Sequence, residues 1–298
     1  MKYYGGIEAG GTKFVCVVAS SPDTVIAEER FPTTNPQETI GRTIDFFRPF
    51  VETKQLESIG IASFGPIDLN PKSSTFGYIT TTPKPGWAQA DLLGPITKSL
   101  GVDCTFDTDV NAAALGEHYW IPENRDLDPL LYITVGTGIG VGYIVNGKTL
   151  HGLIHPEGGH MFIPHDMAAD PYTGFCPYHR DCIEGLASGP AMATRWGQVA
   201  EKLPDDHPGW ELEAKYLAYM ISNLTLSFSP QKVVLGGGVP QHKGLIEMVR
   251  LNVKKQINGY VRSQKVIEQI DQFIVPPALG NRAGVMGAIA LAILRKGG

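Results

Sequence analysis

Two glycine-rich turns, each between a pair of apolar segments, determine the architecture that this sequence predicts. The first turn is Gly10-Gly11-Thr12, and the second runs from residue 136 to residue 140. The apolar segments beside them are residues 3–9, 13–19, 130–135 and 141–145. Short apolar segments joined by a glycine turn are typical of β-hairpins. We therefore expect one hairpin near the start of the chain and another near its middle.

The segments that follow the hairpins have a similar order in both halves of the chain. Further strands are predicted at residues 24–31, 58–64, 102–107, 232–235 and 272–275. Helices are predicted at residues 36–50, 110–119, 189–196, 211–228, 245–260 and 283–294. A loop rich in Pro and Gly at residues 66–87 is long enough to be functional. The order β-β-β-α-β-α-β thus occurs twice without a tandem sequence repeat, which predicts two α/β lobes with a ligand between them.

The composition restricts the classes of partner. Of the 298 residues, 43% are hydrophobic and 18% are charged, as in an ordinary globular protein. The net charge is −5 and no cluster of Lys and Arg stands out, which argues against nucleic acid or an anionic membrane as a partner. Residues 1–20 lack the layout of a signal peptide, and no apolar run approaches the roughly 20 residues that cross a bilayer. A cytoplasmic protein is the default expectation.

The two turns have the chemistry of phosphate-binding loops. Bare glycine backbone in a tight turn directs N–H groups toward one point, where an anion can bind. In the first turn Thr12 adds a hydroxyl and Lys13 a positive charge, while Glu8 lies at the end of the preceding strand. The spacing of a Walker loop is absent, and the second turn leads into a strand where a dinucleotide fingerprint requires a helix. One such turn is usually only a hairpin, but two in matching places favour phosphate binding.

A pair of carboxylates follows the strand predicted at residues 102–107. Asp107 and Asp109 precede the helical segment, and Asn111 lies in its first turn. Aspartate is a good helix N-cap, so capping is one explanation for either residue. The other is catalysis, because α/β proteins place reactive groups at the carboxyl ends of strands. In that case one of the two carboxylates is catalytic, and Asn111 binds a substrate hydroxyl or orients the acid.

Cysteine and histidine residues cluster in one turn-rich loop. Cys176, His179 and Cys182 form a C-x2-H-x2-C motif, and His160 is the predicted fourth ligand. Four such ligands are the number that a closed tetrahedral site requires, so we expect a structural Zn²⁺. His165 is an alternative to His160, and chance clustering is the other explanation. Without a signal peptide, metal binding is favoured over a disulfide.

These motifs resemble those of the ROK family (repressors, open reading frames and sugar kinases), and in particular its bacterial fructokinases. The resemblance extends over nearly the whole chain. The matching segments are residues 8–13, 109–117 (DVNAAALGE), 136–140, 157–160, 171–190 (PYTGFCPYHRDCIEGLASGP), 236–238 and 281–287. Segment 171–190 is the most specific of them, and it is the one that indicates fructokinases.

The resemblance implies an actin-like (RNase H-like) ATPase fold with two α/β lobes. Residues 1–108 and the terminal helix 285–298 would form the small lobe, and residues 109–284 the large lobe with the zinc loop. The implied reaction is phosphate transfer from ATP to a hexose with Mg²⁺ as cofactor. D-fructose, converted to fructose 6-phosphate, is the favoured substrate, and mannose and glucose are the alternatives. The implied partners are small molecules, and a homodimer is what the resemblance suggests.

The same resemblance assigns roles to individual residues. Asp109 would be the base that takes the proton of the sugar hydroxyl. Glu157, His160 and Glu184 would contact the sugar, and His160 would bind zinc through its other ring nitrogen. The nucleotide would lie along both turns and two later segments, which contribute Gly10, Gly11, Thr12, Lys13, Gly136, Thr137, Gly138, Pro190, Gly236, Gly237 and Gly238.

Three positions depart from the family pattern. Glu8 stands where the first motif often has Asp, Thr108 where glucokinase-like members have Asn, and His179 where the zinc loop usually has a third Cys. The first departure affects how the side chain at position 8 contacts Mg²⁺. The second removes an amide that binds a sugar hydroxyl and leaves the substrate open. The third changes the charge of the zinc site and keeps its ligand count.

Three other functions are less favoured. A sugar-responsive repressor of this family carries a helix-turn-helix before the first phosphate motif, which here begins within ten residues of Met1. A sugar-binding protein without catalysis would not require Asp109 together with both turns. A zinc hydrolase would require an open position on the metal, which the predicted closed set lacks.

Overall fold

The computed structural model describes residues 2–294, which form two five-stranded sheets, a two-stranded ribbon and the helices around them. The strands are β1 (Tyr3–Ala9), β2 (Lys13–Ser21), β3 (Thr24–Pro32), β4 (Leu56–Ser63), β5 (Tyr78–Ile79), β6 (Ala90–Asp91), β7 (Cys104–Thr108), β8 (Leu130–Val135), β9 (Ile139–Val145), β10 (Lys148–Thr149), β11 (Lys232–Gly236) and β12 (Ile274–Val275). The helices are α1 (Pro36–Glu52), α2 (Leu93–Leu100), α3 (Asp109–Trp120), α4 (Ile183–Ala187), α5 (Gly189–Trp196), α6 (Gly209–Phe228), α7 (Leu245–Ile257), α8 (Gln264–Ile267), α9 (Ile270–Phe273) and α10 (Ala283–Leu294). No helix among these residues is both long enough and apolar enough to cross a bilayer.

The two large sheets have the same strand order. The first sheet runs β3-β2-β1-β4-β7 and the second runs β10-β9-β8-β11-β12. In each sheet the two leading strands form an antiparallel hairpin, with Ile7 opposite Cys16 in one and Ile133 opposite Val141 in the other. The next strand, β4 or β11, pairs in parallel with the first strand of the hairpin. The predicted repeat of the architecture is confirmed.

Two helices cross between the halves of the chain. Helix α3 follows β7 of the first sheet but packs on β8 and β9 of the second, whereas α10 packs on β1, β2 and β4 of the first. Glycines permit this close contact. A Cβ atom at Gly142 in β9 would overlap the carbonyl of Val110 in α3. In β4 of the first sheet, a Cβ atom at Gly60 would overlap the carbonyl of Ala288 in α10. The start of α3 and the middle of α10 are thereby held in close contact with the second and the first sheet, respectively.

Each large sheet covers its own hydrophobic core. The first core includes Phe14, Phe47 and Ile59, and the second, which is larger, includes Trp210 and Leu217. Burial of each large apolar side chain stabilises the fold by roughly 1.5–3 kcal/mol. The packing of α3 with the second sheet and of α10 with the first supports the proposed lobes 1–108 plus 285–298 and 109–284. That division stays a prediction, and its residues 1 and 295–298 lie outside the described residues.

Helix α2 and the β5–β6 ribbon are additional to the predicted elements. Gly94 and Pro95 in the first turn of α2 obscure its helical pattern, although proline is tolerated at that position. The predicted loop 66–87 contains β5, which pairs with β6 just beyond it. Ile67 and Trp87 of this segment are buried in the first core, so the loop is a folded part of that lobe.

Two predicted elements are shorter in the structure. The predicted helix 245–260 ends at Ile257, because Asn258 and Gly259 adopt left-handed backbone conformations that terminate a helix. Strand β12 keeps only the last two residues of the strand predicted at 272–275, since α9 occupies the residues before it.

Candidate active site

A cavity of about 580 Å³ is lined by residues from both halves of the chain. Its wall includes the ends of β1, β8 and β11, the starts of α3 and α10, and the loops after β11 and β12. The predicted residues on this wall are Glu8, Lys13, Asp109, Gly236, Gly237 and Gly238. The other predicted nucleotide residues lie outside the wall; they are Gly10, Gly11, Thr12, Gly136, Thr137, Gly138 and Pro190.

Thr33, the residue directly after β3, holds the first glycine turn in place. The Gly10 N–H donates to the Lys13 carbonyl at 3.0 Å, and the Thr33 hydroxyl donates to the Gly10 carbonyl at 2.6 Å. A Cβ atom at Gly10 would lie 2.8 Å from the Lys13 carbonyl oxygen, whereas one at Gly11 would meet no heavy atom within 4 Å. The turn therefore needs glycine at position 10 for its shape and presents bare backbone to open space at position 11.

The second glycine turn is joined to the start of α5. The Gly136 carbonyl accepts the Gly189 N–H at 2.8 Å, which places Pro190, in the first turn of α5, beside this loop. Ser188 caps the same helix by accepting the Ala191 N–H. The start of a helix carries partial positive charge, and an anion is stabilised there. The meeting of both turns around one chain of phosphates stays a prediction.

The far end of the cavity is shaped by the turn after β11 and the loop after β12. Gly237 has a φ of +97°, and a side chain there would overlap Val135, so this position requires glycine. The carboxylate of Glu117 accepts the N–H groups of Ala278 at 3.2 Å and Leu279 at 2.8 Å. Glu117 lies in segment 109–117, where it had no predicted role, and the structure shows that it fixes a loop that lines the cavity.

Asp109 is the first residue of α3, and it does not cap that helix. Thr108 is the N-cap, since its hydroxyl accepts the Asn111 N–H at 3.1 Å, so the explanation of either aspartate as a cap is wrong. Burial, followed by the negative charge of Glu8, raises the pKa of Asp109 to about 7. A carboxylate with that pKa is matched to proton transfer near neutral pH.

Glu8 shares the cavity wall with Asp109. Glu8 belongs to β1, and its side chain packs against the start of α10, where Gly284 leaves room for it. Burial raises the pKa of Glu8, against the opposing effects of the Lys13 charge and of a hydrogen bond from the Val285 backbone. Two partly desolvated carboxylates beside one cavity form an environment in which a divalent cation is stabilised.

Asn111 does not occupy the position expected of a sugar ligand. Its side chain is buried; the amide nitrogen donates to Asp107 Oδ1 at 2.9 Å and the amide oxygen accepts the Tyr143 N–H at 3.1 Å. Both ends of the amide thus tie α3 to β7 and β9. This geometry argues against the predicted sugar contact and supports a role in holding α3 in place.

Glu157, His160 and Glu184 come together beside the second turn. Gly159 passes so close to β9 that a Cβ atom there would overlap the Ile139 carbonyl. His160 Nε2 lies 3.9 Å from Glu184 Oε1, and Glu184 Oε2 accepts the Ile139 N–H at 3.0 Å. Partial burial and the negative charge of Glu184 raise the pKa of Glu157 to about 7. The three predicted sugar contacts therefore form one polar group of side chains.

The predicted zinc ligands also converge. The donor atoms of His160, Cys176, His179 and Cys182 all lie within 4.8 Å of one another. His160 Nδ1 is 3.7 Å from Cys176 Sγ and 3.6 Å from Cys182 Sγ. Metal–ligand bonds of about 2.0–2.3 Å in a tetrahedron would separate ligand atoms by about 3.3–3.8 Å, so this arrangement fits Zn²⁺.

His165 does not contribute to this group, so it is not the fourth ligand. Its Nε2 lies 3.0 Å from the Asp170 carbonyl oxygen, and its Nδ1 lies 3.3 Å from Asp181 Oδ2. His160 takes the position instead, with Nδ1 directed toward the two sulfur atoms and Nε2 toward Glu184. One ring therefore connects the loop of the predicted zinc ligands to the polar side chains beside the second turn.

Comparison with known proteins identifies relatives along nearly the full chain. The model of the ROK family matches residues 4–295. A protein of Bacillus subtilis (strain 168) is 47% identical over 288 residues, covering 97% of this chain and 94% of its own length. The fructokinase of Zymomonas mobilis is 42% identical over 297 residues, with 98% and 97% covered. The fructokinase of Pediococcus pentosaceus is 41% identical over 288 residues, with 97% and 96% covered.

Solved structures share the fold. A ROK hexokinase from Thermus thermophilus has a TM-score of 0.77 at 24% identity, with 98% of each chain covered. A ROK family glucokinase from Streptomyces griseus, solved with glucose and AMPPNP, has a TM-score of 0.76 at 20% identity, with 98% of this chain and 99% of that chain covered. The two-lobed actin-like architecture of these kinases is therefore the architecture of this chain.

Proposed function

The chain belongs to the ROK family, and on that premise we propose that it is an ATP-dependent hexose kinase that converts D-fructose to fructose 6-phosphate. The observation that carries the proposal is Asp109, a carboxylate with a pKa of about 7 on the wall of the cavity between the two sheets. Relatives that are 41–42% identical along nearly their full length are named fructokinases, which supports fructose as the sugar.

The nucleotide occupies the cavity between the sheets. Its base and ribose lie against the turn at Gly236–Gly238 and the loop that Glu117 holds, and its phosphates extend toward the two glycine turns. Lys13 and the start of α5 supply positive charge for those phosphates. Phosphoryl transfer depends mainly on such positioning and charge stabilisation, because the protein forms no covalent bond with the phosphate.

Asp109 acts on the sugar. Its carboxylate takes the proton of the primary hydroxyl of the hexose as that oxygen attacks the terminal phosphorus of ATP. The bond between that phosphorus and ADP breaks, so that ADP and the sugar phosphate leave. The raised pKa of Asp109 makes it a stronger base than an ordinary aspartate, and closure of the two lobes excludes water from the reaction.

Glu8 assists through Mg²⁺. Glu8 would hold a Mg²⁺ ion through a water molecule, and the ion would supply positive charge for the phosphates of ATP. That charge would also reduce the repulsion between Glu8 and Asp109. The longer side chain of Glu8, compared with the Asp that is common in the family, suits a contact through water.

Zn²⁺ has a structural role in this proposal. Cys176, Cys182, His179 and Nδ1 of His160 hold it, and it supplies a rigid cross-link between the zinc loop and the loop that carries Glu157. The His160 ring is thereby oriented with Nε2 toward the sugar, where it binds a hydroxyl together with Glu157 and Glu184.

An ADP-release assay with a panel of hexoses tests the function. With MgATP, the wild-type protein should release ADP only when a sugar is present, with kcat/KM for fructose at least about tenfold above that for mannose or glucose. ADP release that is equal with and without sugar would refute the kinase. A higher kcat/KM for mannose or glucose would keep the kinase and replace the substrate.

A further inference from the structure

His155 lies between the two lobes, and no motif in the sequence identifies it. Its side chain is 2% exposed. On one side, its Nε2 lies 3.0 Å from the backbone nitrogen of Ile67, and on the other its Nδ1 lies 3.3 Å from Glu157 Oε1. The imidazole therefore stands between a backbone amide and a carboxylate of the proposed sugar site.

The contact with Ile67 determines which nitrogen of His155 carries the proton. A backbone N–H can only donate, so Nε2 must be the unprotonated acceptor. The neutral ring then has its proton on Nδ1, which makes a hydrogen bond with the Pro156 backbone and lies 3.3 Å from Glu157 Oε1. Burial lowers the pKa of His155, which keeps the ring neutral at physiological pH. The protonated Nδ1 therefore faces the Glu157 carboxylate while Nε2 accepts from Ile67.

The two partners of His155 belong to opposite halves of the chain. The Ile67 side chain is buried in the first core, and its backbone pairs with Ile79 in the ribbon of the first lobe. Glu157 precedes the short turn that packs on β9 of the second sheet. Gly65 leaves little free space here, since a Cβ atom at that position would lie 3.3 Å from His155 Cε1 and 3.5 Å from Glu157 Oε1.

We propose that His155 is a positioning residue for sugar binding, which holds the Glu157 carboxylate in place by tying it to the Ile67 backbone of the opposite lobe. Glu157 then has its binding geometry only when the lobes are together, so sugar affinity and lobe closure depend on the same contact. This inference rests on the proposed function, because it takes Glu157 as a sugar ligand. It differs from the role of an ordinary buried histidine, which would support the fold without affecting Glu157 specifically.

A double-mutant cycle on fructose affinity tests the inference. Titration calorimetry with fructose alone should show that His155→Gln weakens binding about tenfold, the loss expected for one polar contact to a charged group. In the Glu157→Gln background the same change should weaken binding by less than about twofold, because the partner is already altered. The KM for MgATP should be the same in all variants, and thermal melting should confirm that each is folded.

Two further variants keep the test decisive. His155→Asn places an amide where Nδ1 lies but does not reach Ile67, so it breaks the connection to the opposite lobe and should weaken fructose binding about as much as His155→Gln. His151→Gln is the matched control: His151 Nε2 contacts Asp107 Oδ2 at 3.0 Å, and its effect should add to that of Glu157→Gln. Additive losses for His155 and Glu157, or equal coupling in the His151 cycle, would overturn the inference.

The outcomes for the inference and for the proposed function are separate. Sugar-dependent ADP release by the wild-type protein decides the kinase, whereas the cycle is measured on fructose binding without ATP. Fructose binding that shows the expected coupling in a protein without sugar-dependent ADP release would keep the inference and refute the kinase. Failure of the wild-type protein to bind fructose would overturn the inference and fructose as the substrate, while ADP release with the other hexoses would still decide the kinase.

Discussion

Asp109→Asn should lower kcat by about 10²–10⁴-fold, the usual contribution of a general base, while the KM values for fructose and MgATP change little. The amide keeps the shape of the carboxylate and its hydrogen bond with Val110, but it cannot accept the proton of the sugar hydroxyl. Steady-state kinetics with the coupled ADP assay measure the loss. The exposed Asp45 of α1 provides the matched control, since Asp45→Asn makes the same chemical change away from the cavity and should leave kcat unchanged.

The same substitution should raise the stability of the protein at alkaline pH. In the folded chain Asp109 keeps its proton up to a pKa of about 7, whereas in the unfolded chain it loses the proton near pH 4. Stability therefore falls as the pH rises through that window, and the penalty is fully present above it. Asp109→Asn removes the penalty, so its thermal midpoint in Mg²⁺-free buffer should exceed that of the wild type at pH 8 and equal it near pH 4. A near-normal kcat of the Asp109→Asn variant would show that Asp109 is not the general base.

Disruption of the predicted zinc site should weaken sugar binding more than nucleotide binding. Cys182→Ser removes one of the four donors that surround the proposed Zn²⁺, and it frees the His160 ring that Cys182 Sγ approaches at 3.6 Å. We expect the variant to lose most of the bound zinc and to melt at a lower temperature, because a structural zinc site contributes directly to folding. The KM for fructose should rise at least about tenfold, the effect typical of disturbing the surroundings of a metal ligand, with the KM for MgATP nearly unchanged.

Cys104→Ser is the control for that experiment. Cys104 is a free, partly buried cysteine in β7, outside the loop, so its replacement should leave the zinc content and the fructose KM as in the wild type. Metal analysis of the wild-type protein should find about one zinc per chain, the number that one closed site holds. Substantially less metal after mild purification, or an unchanged fructose KM in Cys182→Ser, would contradict the structural role of zinc.

Much of the fold is predictable because its information is local. The turns at Gly10 and Gly136 and the apolar segments beside them indicate both hairpins, and the repeated order of elements indicates two similar sheets. The predicted zinc ligands are equally local, since three of them lie within residues 176–182. Only the choice between His160 and His165 required the structure, because the course of the chain around the zinc loop decides which imidazole faces the sulfur atoms.

The remaining features depend on contacts between distant segments, which local patterns do not encode. Glu117 holds the backbone of a loop 161 and 162 residues away, and His155 binds the N–H of a residue 88 positions earlier. Asn111 has the right chemistry for a sugar ligand, and only the structure shows that its buried amide contacts the Asp107 side chain and the Tyr143 backbone instead. The N-cap of α3 is a similar case. The sequence offers Asp107, Thr108 and Asp109 as equally suitable caps, and only the contact of the Thr108 hydroxyl with the Asn111 N–H identifies the cap.

The most direct test of this account is a crystal structure of the protein with fructose and a non-hydrolysable ATP analogue. It should place the fructose 6-hydroxyl about 2.6–3.2 Å from an Asp109 carboxylate oxygen, with the terminal phosphate within reach of the backbone at both Gly11 and Gly136. The attacking oxygen, the carboxylate and the phosphate would then meet where the two lobes close. A complex in which the sugar lies away from Asp109, or in which the phosphates do not contact both glycine turns, would contradict the proposed mechanism.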